Sequence, residues 1–428
     1  MFLGMRGTGD WTTNQRPENW RQQILKLYPN GNAPLTAILS MMKSEPTDDP
    51  HYHWWTELFS NVAGTVSGVY TDSTCATAYV SGATAGAGLY LKVVAALYNG
   101  VRAGHQLLLR DQSDPDVDVN AKVIDKFTLG SDYVLSIKLL EADDNSATHD
   151  LSDCDYAMVI GNINPEGGEM PEAIANDVTE YYNYTQIFRT ALDITRTAQK
   201  TKLRTGDAYQ KAKADCLEQH SVEMELALLW GIRTLGTGSN GKPERTTMGL
   251  HQFLKTYAAA NCVNYVTDPD HAGESWITGG EDWLNAKLEV MFRYGSSEKL
   301  AFCGSGALLG INQLAKAGAQ ITLTPESKAY GIQVNRWVTP FGSLLLKTHP
   351  LYSFDVTTRN MMTIFEPKNL VYRYIDDTNF YAEGEKQNTG RGRVDGKSEE
   401  YLTECGLEFH HPQTGGIMNG VGQANTAS

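Results

Sequence analysis

The sequence predicts an α+β protein in which a small β module, one long helix and a mixed region of helices and strands follow one another. Short segments rich in β-branched and aromatic residues, separated by turns containing Gly, Asp or Asn, run from residue 54 to about 163. A stretch without proline, composed mainly of good helix formers, runs from Asp207 to about Leu235. Beyond it, helical and strand patterns alternate. These three observations predict the fold class.

Composition limits the classes of protein to consider. The chain has 428 residues, 41% of them apolar and 20% charged, which is typical of a globular protein with two or three lobes. Its 50 acidic and 36 basic residues give a formal charge of −14, whereas a domain built to bind nucleic acid is usually basic. No apolar run approaches the ~20 residues of a membrane helix, and no export signal precedes Trp20. We therefore expect no membrane association and residence in the cytoplasm.

No pattern in the sequence predicts a cofactor, a metal site or a catalytic group. The six cysteines lie at positions 75, 154, 216, 262, 303 and 405, too far apart for metal-ligand spacing. We expect them to be reduced packing residues. No His-Glu-x-x-His motif or Gly-x-Ser-x-Gly elbow occurs.

The first part of the chain, residues 1–53, is expected to be an arm. Prolines interrupt it at positions 17, 29, 34, 46 and 50, and only short helical patterns fit between them, at residues 20–28 and 35–42. The β module that follows has about 100 residues, the size of an independent small barrel or sandwich.

Charge is strongly polarised in the middle of the chain. Residues 141–177 contain ten acidic residues and no lysine or arginine, whereas residues 189–213 contain seven basic and two acidic residues. Both runs are typical of solvated faces. The alternative is that the basic run faces packaged nucleic acid or an acidic loop of a neighbour.

The long helix is expected to begin after Asp207, which can cap its free amides, and to stop at Gly236 and Gly238. Val222, Leu226 and Leu229 recur at helical spacing and predict a buried stripe. A helix of about 29 residues would span roughly 43 Å, which suits a brace in a plate-shaped subunit. The glycine-rich tail from Gly415 is expected to fray.

An enzymatic interpretation depends on the turn that runs from Gly304 to Gly310. It follows a predicted strand and opens a predicted helix, as a dinucleotide-binding turn does. The third glycine of the turn, Gly310, lies one residue later than the Gly-x-Gly-x-x-Gly motif requires. No acidic residue that could bind a ribose follows on a second strand about 20 residues further on. The segment from Gly236 to Pro243 resembles a P-loop, but proline occupies the position of the Mg²⁺ ligand.

Several segments resemble one protein family in the same order. They are NAPLTAILSMMKSEPTDDPHYHWWTELF from Asn32, GHQLLLRDQSD from Gly104, YTQIFRTALDITRTA from Tyr184, RTGD from Arg204, EMELALLWG from Glu223, TTMGL from Thr246 and VTPFG from Val338. On this series the chain resembles the major capsid proteins of tailed bacteriophages. The resemblance implies the HK97-like capsid fold, with an N-terminal arm, an extended loop, a long spine helix, a peripheral domain and an axial domain.

The same resemblance implies a division of the chain. Residues 1–53 would be the arm, and 54–176 the extended loop carrying the small β-barrel or sandwich insertion. Residues 177–261 would form the peripheral domain with the spine helix at about 207–235, and 262–352 the axial domain. Residues 353–428 would return to the peripheral domain and end in the C-terminal tail.

The implied function is assembly rather than catalysis. Copies would form pentamers and hexamers of an icosahedral shell that encloses double-stranded DNA, assembled in the bacterial cytoplasm. Scaffold, portal and cement or decoration proteins are further expected partners, and DNA an indirect one. Trp is enriched at interface hot spots, so the predicted inter-subunit anchors are Trp11, Trp20, Trp54 and Trp55. The alternative is that these side chains fill the core of their own subunit.

Three other functions remain open at this stage. An encapsulin-like compartment would share the fold and hold a cargo enzyme. A cytoplasmic nucleotide-binding enzyme would use the turn from Gly304 to Gly310. A phage fibre or carbohydrate-binding protein would be built around the β module.

Overall fold

The computed structural model describes residues 43–57, 62–114, 117–143, 150–167, 170–174, 178–201, 207–316, 323–329, 332–381 and 396–427. The chain divides into two compact units. Glu57–Thr179 is here called the barrel unit, and Met1–Thr56 with Glu180–Ser428 forms the main unit.

Strands outnumber helices in the described part of the chain. The α-helices are α1 Ala95–Gly100, α2 Arg196–Lys200, α3 Ala208–Trp230, α4 Leu250–Tyr257, α5 Trp276–Phe292, α6 Ser305–Lys316 and α7 Pro350–Phe354. The strands are β1 Ser44–Pro46, β2 His51–Thr56, β3 Ala63–Tyr70, β4 Gly88–Val93, β5 His105–Arg110, β6 Asp118–Leu129, β7 Asp132–Leu139, β8 Tyr156–Asn162, β9 Thr179–Tyr184, β10 Gln186–Thr195, β11 Thr234–Thr237, β12 Pro243–Thr246, β13 Cys262–Asn264, β14 Glu298–Cys303, β15 Leu323–Ala329, β16 Ile332–Thr339, β17 Gly342–Thr348, β18 Met362–Phe365, β19 Leu370–Tyr381, β20 Gly396–Phe409 and β21 Gly416–Asn419. The predicted α+β class is confirmed.

The barrel unit is a closed barrel of six strands in the order β3-β4-β7-β6-β5-β8. Side chains alternate along each strand, and those of Leu107, Leu109 and Ile137 are among the residues that fill the interior. Closure pairs every strand on both sides, so the barrel has no free edge. The predicted small β module is therefore present as a barrel.

In the main unit, the long helix α3 ends earlier than predicted. Asp207 caps it by accepting a hydrogen bond from the Tyr209 amide at 2.8 Å. The helix stops at Trp230 rather than at about residue 235, because the chain turns at Gly231 with no room for a side chain. A Cβ there would lie 2.3 Å from the carbonyl oxygen of Ala227.

The buried stripe of α3 also differs from the predicted one. Its buried residues include Cys216, His220, Met224 and Leu228, at a spacing of four, whereas Leu226 is exposed. This face packs on a four-stranded sheet with the order β1-β19-β20-β10. The prediction is confirmed at Leu229, which is buried, but it missed the rest of the stripe, which mixes a histidine and a cysteine with apolar residues.

The second sheet of the main unit has seven strands in the order β13-β21-β18-β14-β17-β16-β15. The C-terminal strand β21 lies between β13 and β18, so the expectation that the tail frays is wrong. Its glycines allow close packing, since a Cβ at Gly416 would lie 2.4 Å from Met291 Cε.

The strands of residues 353–428 are shared between the two sheets. β18 and β21 join β14 and β17 in the seven-stranded sheet, while β19 and β20 join β10. The assignment of residues 353–428 to the peripheral domain and the C-terminal tail stays a prediction. All four residues of β18 are buried, so this strand requires a position inside a sheet covered on both faces.

Candidate functional site

Two short strands, β2 and β9, form a ribbon with two unlike faces in the main unit. Side chains alternate between the faces, so odd-numbered residues of β2 are exposed and even-numbered residues are buried. The buried face carries Tyr52, Trp54 and Tyr181, and the exposed face carries His51, His53, Trp55, Tyr182 and Tyr184.

Trp54 belongs to the core of its own subunit. Only 5% of its surface is exposed, and its ring lies 6.1 Å from that of Tyr181 and 5.8 Å from that of Phe253. A side chain with so little free surface cannot anchor a neighbour. The alternative considered above, a place in the subunit's own core, therefore describes Trp54.

Trp55 points the other way and is 59% exposed, so its role as an inter-subunit anchor stays a prediction. It shares its face with a cluster of rings in which the centroids of His51 and His53 are 4.2 Å apart. The guanidinium of Arg233 covers the Tyr182 ring at 3.7 Å, and His53 Nδ1 lies 2.5 Å from Glu180 Oε1. Burial and the neighbouring His53 lower the pKa of His51.

Trp11 and Trp20, the other two predicted anchors, lie outside the described residues. On the exposed face of the ribbon, Trp55 combines with tyrosine and arginine side chains. These residue types are the ones enriched at protein–protein hot spots. The face can therefore serve as a contact surface for another protein.

The segment that resembled a P-loop is the tip of a β-hairpin formed by β11 and β12. The Gly238 amide donates a hydrogen bond to the Lys242 carbonyl oxygen, and the Lys242 backbone amide donates one to Asn240 Oδ1 at 3.0 Å. These two bonds close the turn. An open cleft of about 380 Å³ separates the hairpin from the start of β10. No helix follows this turn, so the context of a phosphate-binding loop is missing.

Hydrogen bonds between buried polar side chains connect α3, α4, α7 and β18. His349 Nε2 lies 2.6 Å from Glu225 Oε1, and His251 Nε2 lies 2.6 Å from the Tyr352 hydroxyl and 3.1 Å from Thr363 Oγ1. Burial lowers the pKa of His251 to about 3 and raises that of Tyr352. Both groups are therefore neutral near pH 7, so this pair acts as a structural connection.

A second buried connection centres on Lys299. Its ammonium donates hydrogen bonds to the carbonyl oxygens of Met291 at 2.9 Å, Tyr294 at 3.0 Å and Thr414 at 2.5 Å. Glu366 Oε1 lies 3.7 Å away, and burial lowers the pKa of Lys299 to about 8. These bonds attach the end of α5 to the C-terminal segment.

Neither buried connection was found from the sequence. His349, His251 and Glu225 are separated by up to 124 positions and form no linear motif. Among the described residues, no group of three or more His, Cys, Asp or Glu side chains lies close enough to hold a metal ion. None of the described helices is both long enough and apolar enough to cross a bilayer.

Comparison with known proteins identifies the family. The model of one family, described as SU10 major capsid protein, matches residues 6–422, nearly the whole chain. This chain belongs to the SU10 major capsid protein family. The family resemblance inferred from the ordered sequence segments is thereby confirmed.

Individual relatives of this capsid-family protein are distant. It is 25% identical over 284 residues to the major capsid protein of Pseudomonas phage PaMx41. That match covers 62% of this chain and 66% of the relative, just under two thirds of its length.

Among solved structures, the one described as Microbacterium phage Oxtober96 is 9% identical, with 94% and 96% of the two chains covered and a TM-score of 0.44. The encapsulin of the holo-SrpI complex from Synechococcus elongatus PCC 7942 is 12% identical, with 57% and 76% covered and a TM-score of 0.37. Both TM-scores are below 0.5, so no conclusion rests on them.

In this member of the capsid family, the turn from Gly304 to Gly310 is filled by the protein itself. A Cβ at Gly304 would lie 2.2 Å from the Arg359 carbonyl oxygen, and one at Gly310 would lie 2.4 Å from the Cα of Gly422. The glycines thus allow close approach of the protein's own backbone. In a dinucleotide-binding turn, the same approach is made by a pyrophosphate.

Proposed function

We propose that this chain is the coat subunit of a tailed-phage virion and that its copies assemble into pentamers and hexamers of an icosahedral shell around double-stranded DNA. The observation that carries the proposal is the match of a major capsid protein family over residues 6–422. The role is structural rather than catalytic. Assembly takes place in the host cytoplasm, with scaffold, portal and decoration proteins as further partners.

In this proposal the parts of the subunit take the roles of an HK97-like coat protein. The barrel unit is the insertion in the extended loop, α3 is the spine helix, and residues 1–53 are the arm. The four-stranded sheet belongs to the peripheral domain and the seven-stranded sheet to the axial domain. Burial of apolar surface would drive assembly, at about 25 cal/mol per Å² over interfaces of about 1,600 Å² each.

The exposed face of the β2–β9 ribbon supports this proposal. Trp55 is a large apolar side chain that the isolated subunit leaves 59% exposed, on the face that also carries Tyr182. A shell subunit contacts several copies of itself, so such a side chain would be covered on assembly.

The test is to express the chain alone, and with candidate scaffold proteins, and to image the sized soluble fraction by negative-stain electron microscopy. Closed shells, capsomer rings or curved sheets are expected. A 47.2 kDa monomer under every condition, with a nucleotide bound in calorimetry, would overturn the proposal in favour of the enzyme.

A further inference from the structure

β1 is the shortest strand of the four-stranded sheet, and it forms one edge of that sheet. It has three residues, whereas β19, with which it pairs in parallel, has twelve. Ser44 and Pro46 are exposed and Glu45 is half-buried, so β1 adds no buried apolar side chain to the core. Burial of apolar surface is the dominant favourable term in folding. Hydrogen bonds and charge must therefore hold β1 in place.

Backbone hydrogen bonds attach β1 at both of its ends. The Tyr372 amide donates to the Lys43 carbonyl oxygen at 3.2 Å, and the Thr47 amide donates to the Tyr374 carbonyl oxygen at 2.9 Å. In a parallel pair, alternate residues of a strand direct their backbone groups to the same neighbour. The backbone groups of Glu45, midway between Lys43 and Thr47, therefore also face β19.

An ion pair holds the middle of β1. Arg373 lies directly opposite Glu45, and its Nη1 atom is 2.7 Å from Glu45 Oε2. The same guanidinium donates from Nε to Glu408 Oε2 at 2.5 Å. The side chain of Glu408 is 3% exposed, whereas that of Glu45 is 29% exposed. β1 can therefore leave the sheet without separating Arg373 from its buried partner.

β1 covers the part of β19 that is best suited to pair with another chain. Residues 370–374 read Leu-Val-Tyr-Arg-Tyr, a run with high strand propensity, and their ladder to β20 is regular. Further along β19, register shifts occur between Tyr374 and Asp376 and between Asp376 and Asn379. Such bulges twist an edge away from new partners. The regular part of β19 relies on β1 for the same protection.

The outer side of β1 resists the addition of a further strand. The backbone groups of Ser44 and Pro46 face away from β19, and proline has no amide to offer to an incoming chain. The Lys43 side chain beside them is exposed and charged. Natural proteins protect sheet edges with very short strands, charged side chains and proline, and β1 combines all three.

We infer that β1 is a strap that opens and closes on the edge of β19, and that the pair of Glu45 and Arg373 is its clasp. A segment with few buried contacts opens locally at a small cost in free energy. When closed, the strap prevents β19 of one copy from pairing with the same edge of a second copy. This inference concerns the single subunit and does not depend on the proposed shell.

Two matched proline variants test the strap in unassembled chains at low concentration. Glu45→Pro removes an amide that faces β19 together with the carboxylate of the clasp, whereas Ser44→Pro removes an amide that faces away and keeps the clasp. Hydrogen exchange of the Tyr372 amide, measured by mass spectrometry, should be about tenfold faster or more in Glu45→Pro. In Ser44→Pro it should stay within about twofold of the wild type. Sedimentation should show irregular self-association in Glu45→Pro alone.

The clasp also predicts a dependence on salt that does not require a proline. Raising NaCl from about 0.05 M to about 1 M should speed exchange of the Thr47 amide about threefold or more, because the partly exposed pair of Glu45 and Arg373 is screened. Glu45→Gln should exchange fast at both concentrations. Glu400→Gln removes another ion pair of the same sheet, to Arg189, and should keep the response of the wild type.

Several results would overturn the inference. Exchange of the Tyr372 amide at the wild-type rate in Glu45→Pro would show that β1 is not a strap, and an unchanged salt response in Glu45→Gln would remove the clasp. Fast exchange without self-association would remove the protective role. Self-association of Ser44→Pro to the same extent would assign the effect to proline itself. Regular shells in place of irregular aggregates from Glu45→Pro would exclude pairing through the β19 edge.

Discussion

His349 and Glu225 form a buried pair that joins α7 to the long helix α3. The His349 Nε2 atom lies 2.6 Å from Glu225 Oε1, and both side chains are fully buried. The Leu351 amide donates to His349 Nδ1 at 3.2 Å, so His349 carries its proton on Nε2 and donates it to the carboxylate. The pair thus fixes the position of α3 against the segment that follows β17.

Removing one partner of this pair should destabilise the subunit strongly. His349→Ala leaves the Glu225 carboxylate buried without its imidazole, which should lower the free energy of unfolding by about 3 kcal/mol. Glu225→Gln keeps an acceptor for Nε2–H and should cost less. Thermal unfolding of unassembled subunits measures both, and an equal loss in the two variants would contradict the assigned roles.

The two adjacent tryptophans should differ in what they affect. Trp54→Ala removes a core side chain and should destabilise the subunit by about 3–5 kcal/mol. Trp55→Ala removes an exposed side chain and should leave the unfolding temperature within a degree or two but lower the yield of shells. Calorimetry with sedimentation separates the effects, and normal shells from Trp55→Ala would remove it as an anchor.

Acid should destabilise the subunit through His251. Burial lowers its pKa to about 3 from 6.5, so between these values the unfolded chain binds a proton that the folded chain does not. Stability contributed by the neutral imidazole is therefore present above about pH 6.5 and is lost as the pH falls. Between pH 7 and pH 5 the loss should be about 2 kcal/mol, at about 1.4 kcal/mol per unit.

The His251→Gln variant checks this assignment. Glutamine can keep a hydrogen bond to Tyr352 or Thr363 but does not titrate. The unfolding temperature of the variant should therefore fall less than that of the wild type between pH 7 and pH 5. Lys255 and His349, whose charges also lower the pKa of His251, remain in both proteins. Identical pH profiles would assign the acid sensitivity to another group.

Truncation at the C-terminus should disrupt the fold. Deletion of residues 416–428 removes β21 from between β13 and β18 and exposes the buried side chains of β18, so insoluble protein is expected. Deletion of residues 427–428 leaves Asn425, whose side chain donates to the Asp268 carbonyl at 2.8 Å, and should be tolerated. Soluble, shell-forming protein from the longer deletion would contradict the position of β21.

Local patterns in the sequence were sufficient for the class of the fold and for several elements. Alternating residues and regular turns predicted the β module, and Asp207 with an unbroken run of helix formers predicted the start of α3. These features depend on residues close together in the chain, where periodicity and capping act. The ordered family segments supplied the function, which no single motif indicated.

The tertiary structure alone decided which surfaces face the core. Trp54 and Trp55 are the same residue type at adjacent positions, so the sequence does not distinguish them. The pairing of β2 with β9 places Trp54 in the core and leaves Trp55 exposed. The tail from Gly415 resembles a flexible end, yet its glycines let β21 enter a sheet where side chains would clash. Burial and close packing depend on residues distant in the chain, such as Gly310 and Gly422, and a single sequence does not pair them.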